Sequence, residues 1–356
     1  MLYDQIREKL LGKDCFPDIV GQEEAKGQLR SALLMGRHVI IVGPPGVGKT
    51  TLARGIAKLL PEITANDCGF NCTPDAPLCP SCQSGTTRTT RKVAGEKRFV
   101  RVQGSPDLTS EDLLGDIDPV KALKLGAMSL EAFSPGKIFR ANNGVLFFDE
   151  LNRCPERLQN ALLQVLEEKK ATLGSYSVDF SADFIFIGTM NPSDSSTERL
   201  SDVFADRFDF VYMGYPETQA IEESIVRAKG KNAIEFPADM FSLSIGFVRH
   251  IRENKQVEMA PSVRASIGLY ERAQANALLA SRKSVTLEDV KQAAVSVLAH
   301  RIKLKPAARY LIEPESFVAG EMSKFLSQSS AKRNAAKDSG HEDRKKAEKA
   351  AAGGYR

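Results

Sequence analysis

His38-Val39-Ile40-Ile41-Val42, then Gly43-Pro44-Pro45-Gly46-Val47-Gly48-Lys49-Thr50, then Thr51-Leu52-Ala53-Arg54-Gly55-Ile56-Ala57-Lys58-Leu59-Leu60: this stretch decides how the rest of the chain is read. It predicts a strand, a glycine-rich loop and a helix in succession. The loop fits G-x-x-x-x-G-K-[ST], a pattern in which backbone N–H groups, here of Gly43, Gly46, Val47 and Gly48, wrap around phosphates. The helix opening at Lys49, Thr50 and Thr51 adds the partial positive charge of its N-terminus. Lys49 is then placed to reach the β- and γ-phosphates of a nucleotide, and the Thr50 hydroxyl to ligate Mg²⁺.

Upstream, residues 1–11 read as a helix with Leu2, Ile6 and Leu10 on one face, and residues 23–35 as a second helix. Downstream, 98–102, 145–148, 184–187 and 208–212 read as strands, with a helix over 156–169. The continuous apolar run Val145-Leu146-Phe147-Phe148 is what a strand buried on both faces requires. Strands alternating with helices predict an α/β fold: a phosphate-loop parallel sheet covered by helices. Two insertions interrupt it, a cysteine-bearing one at 62–97 and another at 115–135, and residues 171–180 read as a hairpin about Gly174-Ser175. After Pro216 only helices follow, so the expected domains are 1–215 and an all-helical lid at 216–327. Residues 328–356, rich in Ala, Lys, Ser and Gly, are expected to be a disordered tail.

The chain has 356 residues and a formal charge of +4. From Gln328 onward it carries 8 Lys+Arg and 4 Asp+Glu of the totals of 49 and 45, so the folded body is formally neutral. That weakens a reading that needs a strong whole-domain field for nucleic acid. No apolar stretch approaches a membrane span and the N-terminus lacks the shape of a signal peptide, so a cytoplasmic protein without membrane contact is expected.

Asp149-Glu150 closes the apolar run at 145–148. A nucleotide with Mg²⁺ needs one carboxylate for the metal shell and a second to orient or deprotonate water; Asp149 takes the first role and Glu150 the second. Asn191, after the next strand, can hold the attacking water or sense the γ-phosphate. Arg207, in Asp206-Arg207-Phe208, lies just before the fifth strand.

The phosphate loop, Asp149-Glu150, Asn191, Asp206-Arg207-Phe208 and Ser262-Val263-Arg264-Ala265, in this order, resemble the AAA+ ATPases over about residues 16–305. Within them the chain resembles the branch of MoxR-type ATPases and the motor subunit of magnesium chelatase. The resemblance implies a ring of identical subunits, usually hexameric, with ATP at the interfaces. It assigns Asn191 to the first sensor, Arg207 to an arginine finger for the neighbour's ATP and Arg264 to the second sensor in the lid. Asp149-Glu150-Leu151-Asn152-Arg153 and Pro261-Ser262-Val263-Arg264-Ala265 look MoxR-like, whereas the stretch from Gly115 to Gly126 is nearer the chelatase motor. That motor carries a further arginine six residues before the finger, where this chain has Ser201. The insertion at 115–135 and the hairpin at 171–180 resemble elements that line or cap the ring's pore.

Cys68, Cys72, Cys79 and Cys82 form C-x₃-C-x₆-C-x₂-C, able to close a tetrahedral Zn²⁺ site; an iron–sulfur site and unliganded redox thiols are the alternatives. The insertion has too few apolar residues to fold alone, so a metal would supply its folding energy. Cys15 and Cys154 are expected to be core residues, and the four histidines show no ligand spacing. The expected function is a Mg²⁺-dependent ATPase that remodels a protein partner, such as a von Willebrand-type domain protein. The alternatives are a chelatase motor and a nucleic-acid translocase, the last disfavoured by a hairpin tip, Gly174-Ser175-Tyr176, without basic residues.

Overall fold

A computed structural model of the chain describes residues 2–85, 89–126, 129, 132–172, 179–192 and 200–328. The chain divides into two compact units, Met1–Tyr215 and Pro216–Arg356.

In the first unit α1 (Asp4–Leu11) and α2 (Glu23–Leu34) precede β1 (Val39–Val42) and α3 (Lys49–Leu59). The cysteine-bearing insertion follows as β2 (Ile63–Asn66), α4 (Pro80–Gln83) and β3 (Thr90–Val93), with β2 and β3 antiparallel. Next come β4 (Phe99–Gln103), α5 (Ser110–Leu114), β5 (Gly115–Ile117), α6 (Pro119–Leu125), β6 (Phe133–Pro135), α7 (Lys137–Arg140) and β7 (Val145–Asp149). The unit ends with α8 (Glu156–Glu168), β8 (Lys170–Thr172), β9 (Asp179–Ser181), β10 (Ile185–Met190), α9 (Asp202–Ala205) and β11 (Asp209–Tyr212).

The main sheet is fully parallel, in the order β11-β1-β10-β7-β4. Alternate residues of its strands feed two cores. Val39, Ile41, Val145, Phe147, Ile185 and Ile187 face α1, α2 and α3, while Ile40, Val42, Leu146, Phe148 and Phe186 face α8. Burial on both faces is why these strands read as unbroken apolar runs. The insertion at 115–135 and the hairpin at 171–180 each close as a short antiparallel ribbon: Gly115 pairs with Pro135 in the first and Ala171 with Phe180 in the second. The hairpin tip, 173–178, lies outside the described residues.

The second unit contains α10 (Gln219–Lys229), α11 (Ala238–Glu253), β12 (Val257–Met259), α12 (Val263–Leu279), α13 (Leu287–Leu298), β13 (Lys303–Leu304), α14 (Pro306–Arg309) and a helix over 314–328 that the sequence reading did not identify. Gln328, assigned from composition to the tail, is helical; 329–356 lie outside the described residues. The fully buried Glu222 on α10 accepts two hydrogen bonds from Arg252, each 2.8 Å. These contacts and the Ser266 hydroxyl hold its carboxyl below the usual range against the opposing effect of burial. Among the described residues no helix is long and apolar enough to cross a membrane.

Candidate nucleotide site

The loop 43–48 leaves the carboxyl end of β1, the strand second from one edge of the sheet. Gly46 and Gly48 take left-handed backbone angles (φ 76° and 103°) that turn the chain into α3. Gly43 has no room for a side chain, since a Cβ there would meet the Met213 carbonyl oxygen at 2.2 Å. Lys49 donates to the carbonyls of Gly43 (2.5 Å) and Pro44 (2.9 Å), which folds its ammonium back over the loop. Thr50 and Thr51 lie in the first turn of α3, at its positive end.

β10 lies between β1 and β7, so the ends of β1 and β7 are about 10 Å apart, two strand spacings. Thr189, a residue missed in the sequence, joins the two sides: its hydroxyl donates to Asp149 Oδ1 (2.6 Å) and accepts from the Glu150 N–H (3.0 Å). Glu150 adopts φ 55°, ψ 50°, a left-handed conformation rare outside glycine and asparagine. Gly104 lets β4 close on this turn, because a Cβ there would strike the Glu150 carbonyl oxygen at 2.1 Å.

β4 contributes two further residues that the sequence reading passed over. Arg101 donates to Asp149 Oδ2 (2.5 Å) and Gln103 to Glu150 Oε2 (2.9 Å), while Arg153 pairs with the same Glu150 oxygen at 3.0 Å. The available signal was the i, i+2 spacing of Arg101 and Gln103 within a strand, which places both on one face. Asn191 follows Met190, whose carbonyl accepts the Gly43 N–H (3.2 Å), so it stands directly beside the phosphate loop.

Arg207 is not part of this cluster. Arg207 is exposed and donates to Glu167 and to the Val203 carbonyl (2.6 Å), on α8 and α9. Arg264 is the exposed second residue of α12, in the other unit. Ser201, where the chelatase motor has arginine, caps α9 by accepting the Phe204 N–H (3.2 Å).

The four cysteines of the insertion converge, their sulfurs all within 4.8 Å of one another. A tetrahedral zinc with bonds of about 2.3 Å requires sulfurs about 3.8 Å apart, a spacing within reach of this cluster. Leu78 and Cys79 N–H groups donate to Cys72 Sγ at 3.2 and 3.3 Å. Hydrogen bonds from the Cys72 and Cys79 thiols draw Cys68 far below the usual thiol value; the same bonds push Cys72 up to about 11 and raise Cys79. Cys154 is buried and Cys15 half-buried, both apart from the cluster.

Three family models match the chain: magnesium chelatase subunit ChlI at 15–73, the ATPase family associated with various cellular activities at 78–210, and an AAA lid domain at 249–318. The magnesium-chelatase subunit ChlI of the Chlamydomonas reinhardtii chloroplast is 30% identical over 82% of this chain and 76% of its own length. A ChlI homolog of Methanocaldococcus jannaschii is 29% identical, over 82% and 86%. Among solved structures, NtrX of Brucella abortus shares the fold at a TM-score of 0.51, with 16% identity over 86% of this chain and 62% of that one. The chain belongs to the AAA+ ATPases, in the branch that includes the magnesium-chelatase ChlI subunits.

Proposed function

We propose that the protein is a Mg²⁺-dependent ATPase that works as a ring, with six subunits, and couples ATP hydrolysis to remodelling a protein partner in the manner of MoxR-type ATPases. The observation that carries this reading is the Asp149–Thr189–Glu150 network beside the phosphate loop, which holds two carboxylates in different settings.

In this reading the loop that starts at Gly43 wraps the phosphates, with the amides of Gly46, Val47, Gly48 and Thr51 donating to them, and Lys49 moves from the loop carbonyls to the β- and γ-oxygens. Thr50 and Asp149 supply hard oxygen donors that suit Mg²⁺, which when bound neutralises phosphate charge. Glu150 holds the attacking water and takes its proton, and Asn191 orients that water against the γ-phosphate. Arg207, whose described partners lie away from its own phosphate loop, serves the ATP of a neighbouring subunit, and Arg264 contacts the nucleotide from the lid. The four cysteines hold zinc, whose ligation adds on the order of 10 kcal/mol to the folding of a small unit. The protein acts in the cytoplasm.

A second reading, the motor of a magnesium chelatase, is favoured by the ChlI-named relatives and opposed by Ser201 at the arginine position. Phosphate release measured against Mg²⁺, protein concentration and added partners tests both. Mg²⁺-dependent turnover that rises as subunits associate, and rises further with a von Willebrand-type domain protein, is expected. Stimulation only by chelatase subunits with porphyrin would select the second reading, and no Mg²⁺-dependent hydrolysis at any concentration would overturn both.

A further inference from the structure

The turn between Cys68 and Cys72 does more than bring two sulfurs together. Gly69 (φ 75°) and Asn71 (φ 50°) are both left-handed, and Asn66 N–H to Cys72 O (2.7 Å) closes the loop at its base. Between them Phe70 is turned into the protein, 7% exposed. Its ring centroid lies 6.4 Å from Phe133, 5.5 Å from Phe139 and 6.1 Å from Phe180, the last pair nearly parallel at 11°. The other three rings also contact one another, at 5.2 to 6.0 Å.

Each ring comes from a different element. Phe133 is on β6, Phe139 on α7, Phe180 on β9 and Phe70 on the cysteine turn. The ribbons β5–β6 and β8–β9 are each three residue pairs long, too short to persist without packing. Between β5 and β6, α6 buries none of its residues. Phe133 and Phe180 are therefore the main apolar anchors of the two ribbons, and Phe70 packs against both. Hydrogen bonds add to this: Asn71 Nδ2 donates to the Arg140 carbonyl (2.7 Å), Asn143 Nδ2 to the Asn71 carbonyl (2.9 Å), and Arg140 Nε to the Pro135 carbonyl at the end of β6 (3.1 Å).

We infer that a metal ion on Cys68, Cys72, Cys79 and Cys82 is a clasp for the two inserted ribbons: by fixing the turn that carries Phe70 and Asn71, it sets the packing of β5–β6 and β8–β9 together. This rests on the reading that the four cysteines bind zinc. The metal ties Cys68 and Cys72, at the two ends of the turn, to Cys79 and Cys82; without those bonds the turn loses its cross-links, opens and withdraws Phe70 from the ring cluster. The ribbons then lose a shared partner, while the core between the sheet and α1, α2 and α3, which contains none of the four rings, is kept. Metal binding thus acts on the two elements that distinguish this chain from a plain nucleotide-binding sheet.

Hydrogen exchange on the full-length protein tests the clasp. Three samples are compared: zinc-loaded protein at one metal per chain by elemental analysis, protein stripped with a chelator, and zinc-loaded Phe70→Ala. Stripping is expected to speed exchange in 115–117, 133–135, 170–172 and 179–181 by about tenfold or more, with β7 and α13 unchanged and protection restored by adding Zn²⁺. Phe70→Ala should loosen the same four segments while still binding one zinc, and Phe70→Leu should recover most of the protection. A zinc-bearing protein whose ribbons exchange within twofold of one another in all samples overturns the clasp and leaves the zinc site standing. A protein that neither purifies with zinc nor takes up Zn²⁺ or Co²⁺ overturns both. An iron–sulfur chromophore that shields the ribbons in the same way supports the clasp and replaces zinc as its metal.

Discussion

The two ends of the five-stranded sheet are built on opposite rules. At the carboxyl end, charged side chains meet one another: Arg101 with Asp149, Gln103 and Arg153 with Glu150, Lys49 with the carbonyls of its own loop. All are at least partly solvent-accessible, and each partner can be given up to a ligand. At the amino end, polar groups turn inward, Arg98 fully buried and His38 half-buried, and hold fixed partners. Arg98, fully buried just before β4, donates to the carbonyls of Asn143 and Pro61, and burial lowers its pKa to about 10. His38, just before β1, accepts through Nδ1 from Tyr3 Oη (3.2 Å) and the Phe186 N–H (3.3 Å). One end is arranged for exchange of partners and the other to keep strands in register.

Breaking the exchangeable end should leave the fold intact and remove the chemistry. Glu150→Gln is expected to keep ATP binding and slow hydrolysis by about 10²–10⁴-fold, the usual contribution of a positioned base. Lys49→Ala is expected to weaken ATP binding by on the order of 10²-fold, from the loss of charge-assisted hydrogen bonds of about 1.5–3 kcal/mol each. Fluorescent-nucleotide titration and single-turnover hydrolysis separate the two effects. Equal loss of binding in both variants, or a drop in melting temperature that accounts for the loss of activity, would break the contrast between the ends.

The fixed end should reveal itself through pH. The His38 pKa is lowered to about 4, chiefly by burial, against about 6.5 in an unfolded chain. Between these values the unfolded state binds the extra proton, so stability is full above about 6.5 and falls as pH drops towards 4, by about 1–3 kcal/mol. Denaturant unfolding across this window should show the slope in the wild type and a smaller slope in His38→Phe. An unchanged slope in the variant would assign the pH dependence elsewhere.

How far each end could be read from the sequence follows the same division. The phosphate loop and Asp149-Glu150 were legible because their geometry is made by residues adjacent in the chain. The ribbon at 115–135 was legible at its boundaries because Gly115 and Pro135 mark its ends. Arg101, Gln103 and Thr189 were not singled out, because their roles depend on which strands are neighbours, and β4, β7 and β10 are brought together by topology. The four phenylalanines around Phe70 were hidden for the same reason, being drawn from four elements spread over 111 residues. The four cysteines were recognised as a group, but nothing in their spacing signals that the turn between two of them packs into the core.

The smallest effect expected is at Arg101, and it bears most directly on what exchangeable means. Its guanidinium occupies the same Asp149 carboxylate that would serve Mg²⁺, and it is half-exposed, so the pair is worth at most about 1 kcal/mol. If Arg101 competes with the metal, Arg101→Ala should lower the Mg²⁺ concentration needed for half-maximal ATPase activity by about two- to fivefold, with little change in melting temperature. If Arg101 instead orients Asp149 for the metal, the same variant should need more Mg²⁺, and Arg101→Lys should recover part of the loss. A Mg²⁺ titration of the two variants decides the direction. Only a lowered requirement fits a carboxylate whose side-chain partner gives way when the ligand arrives.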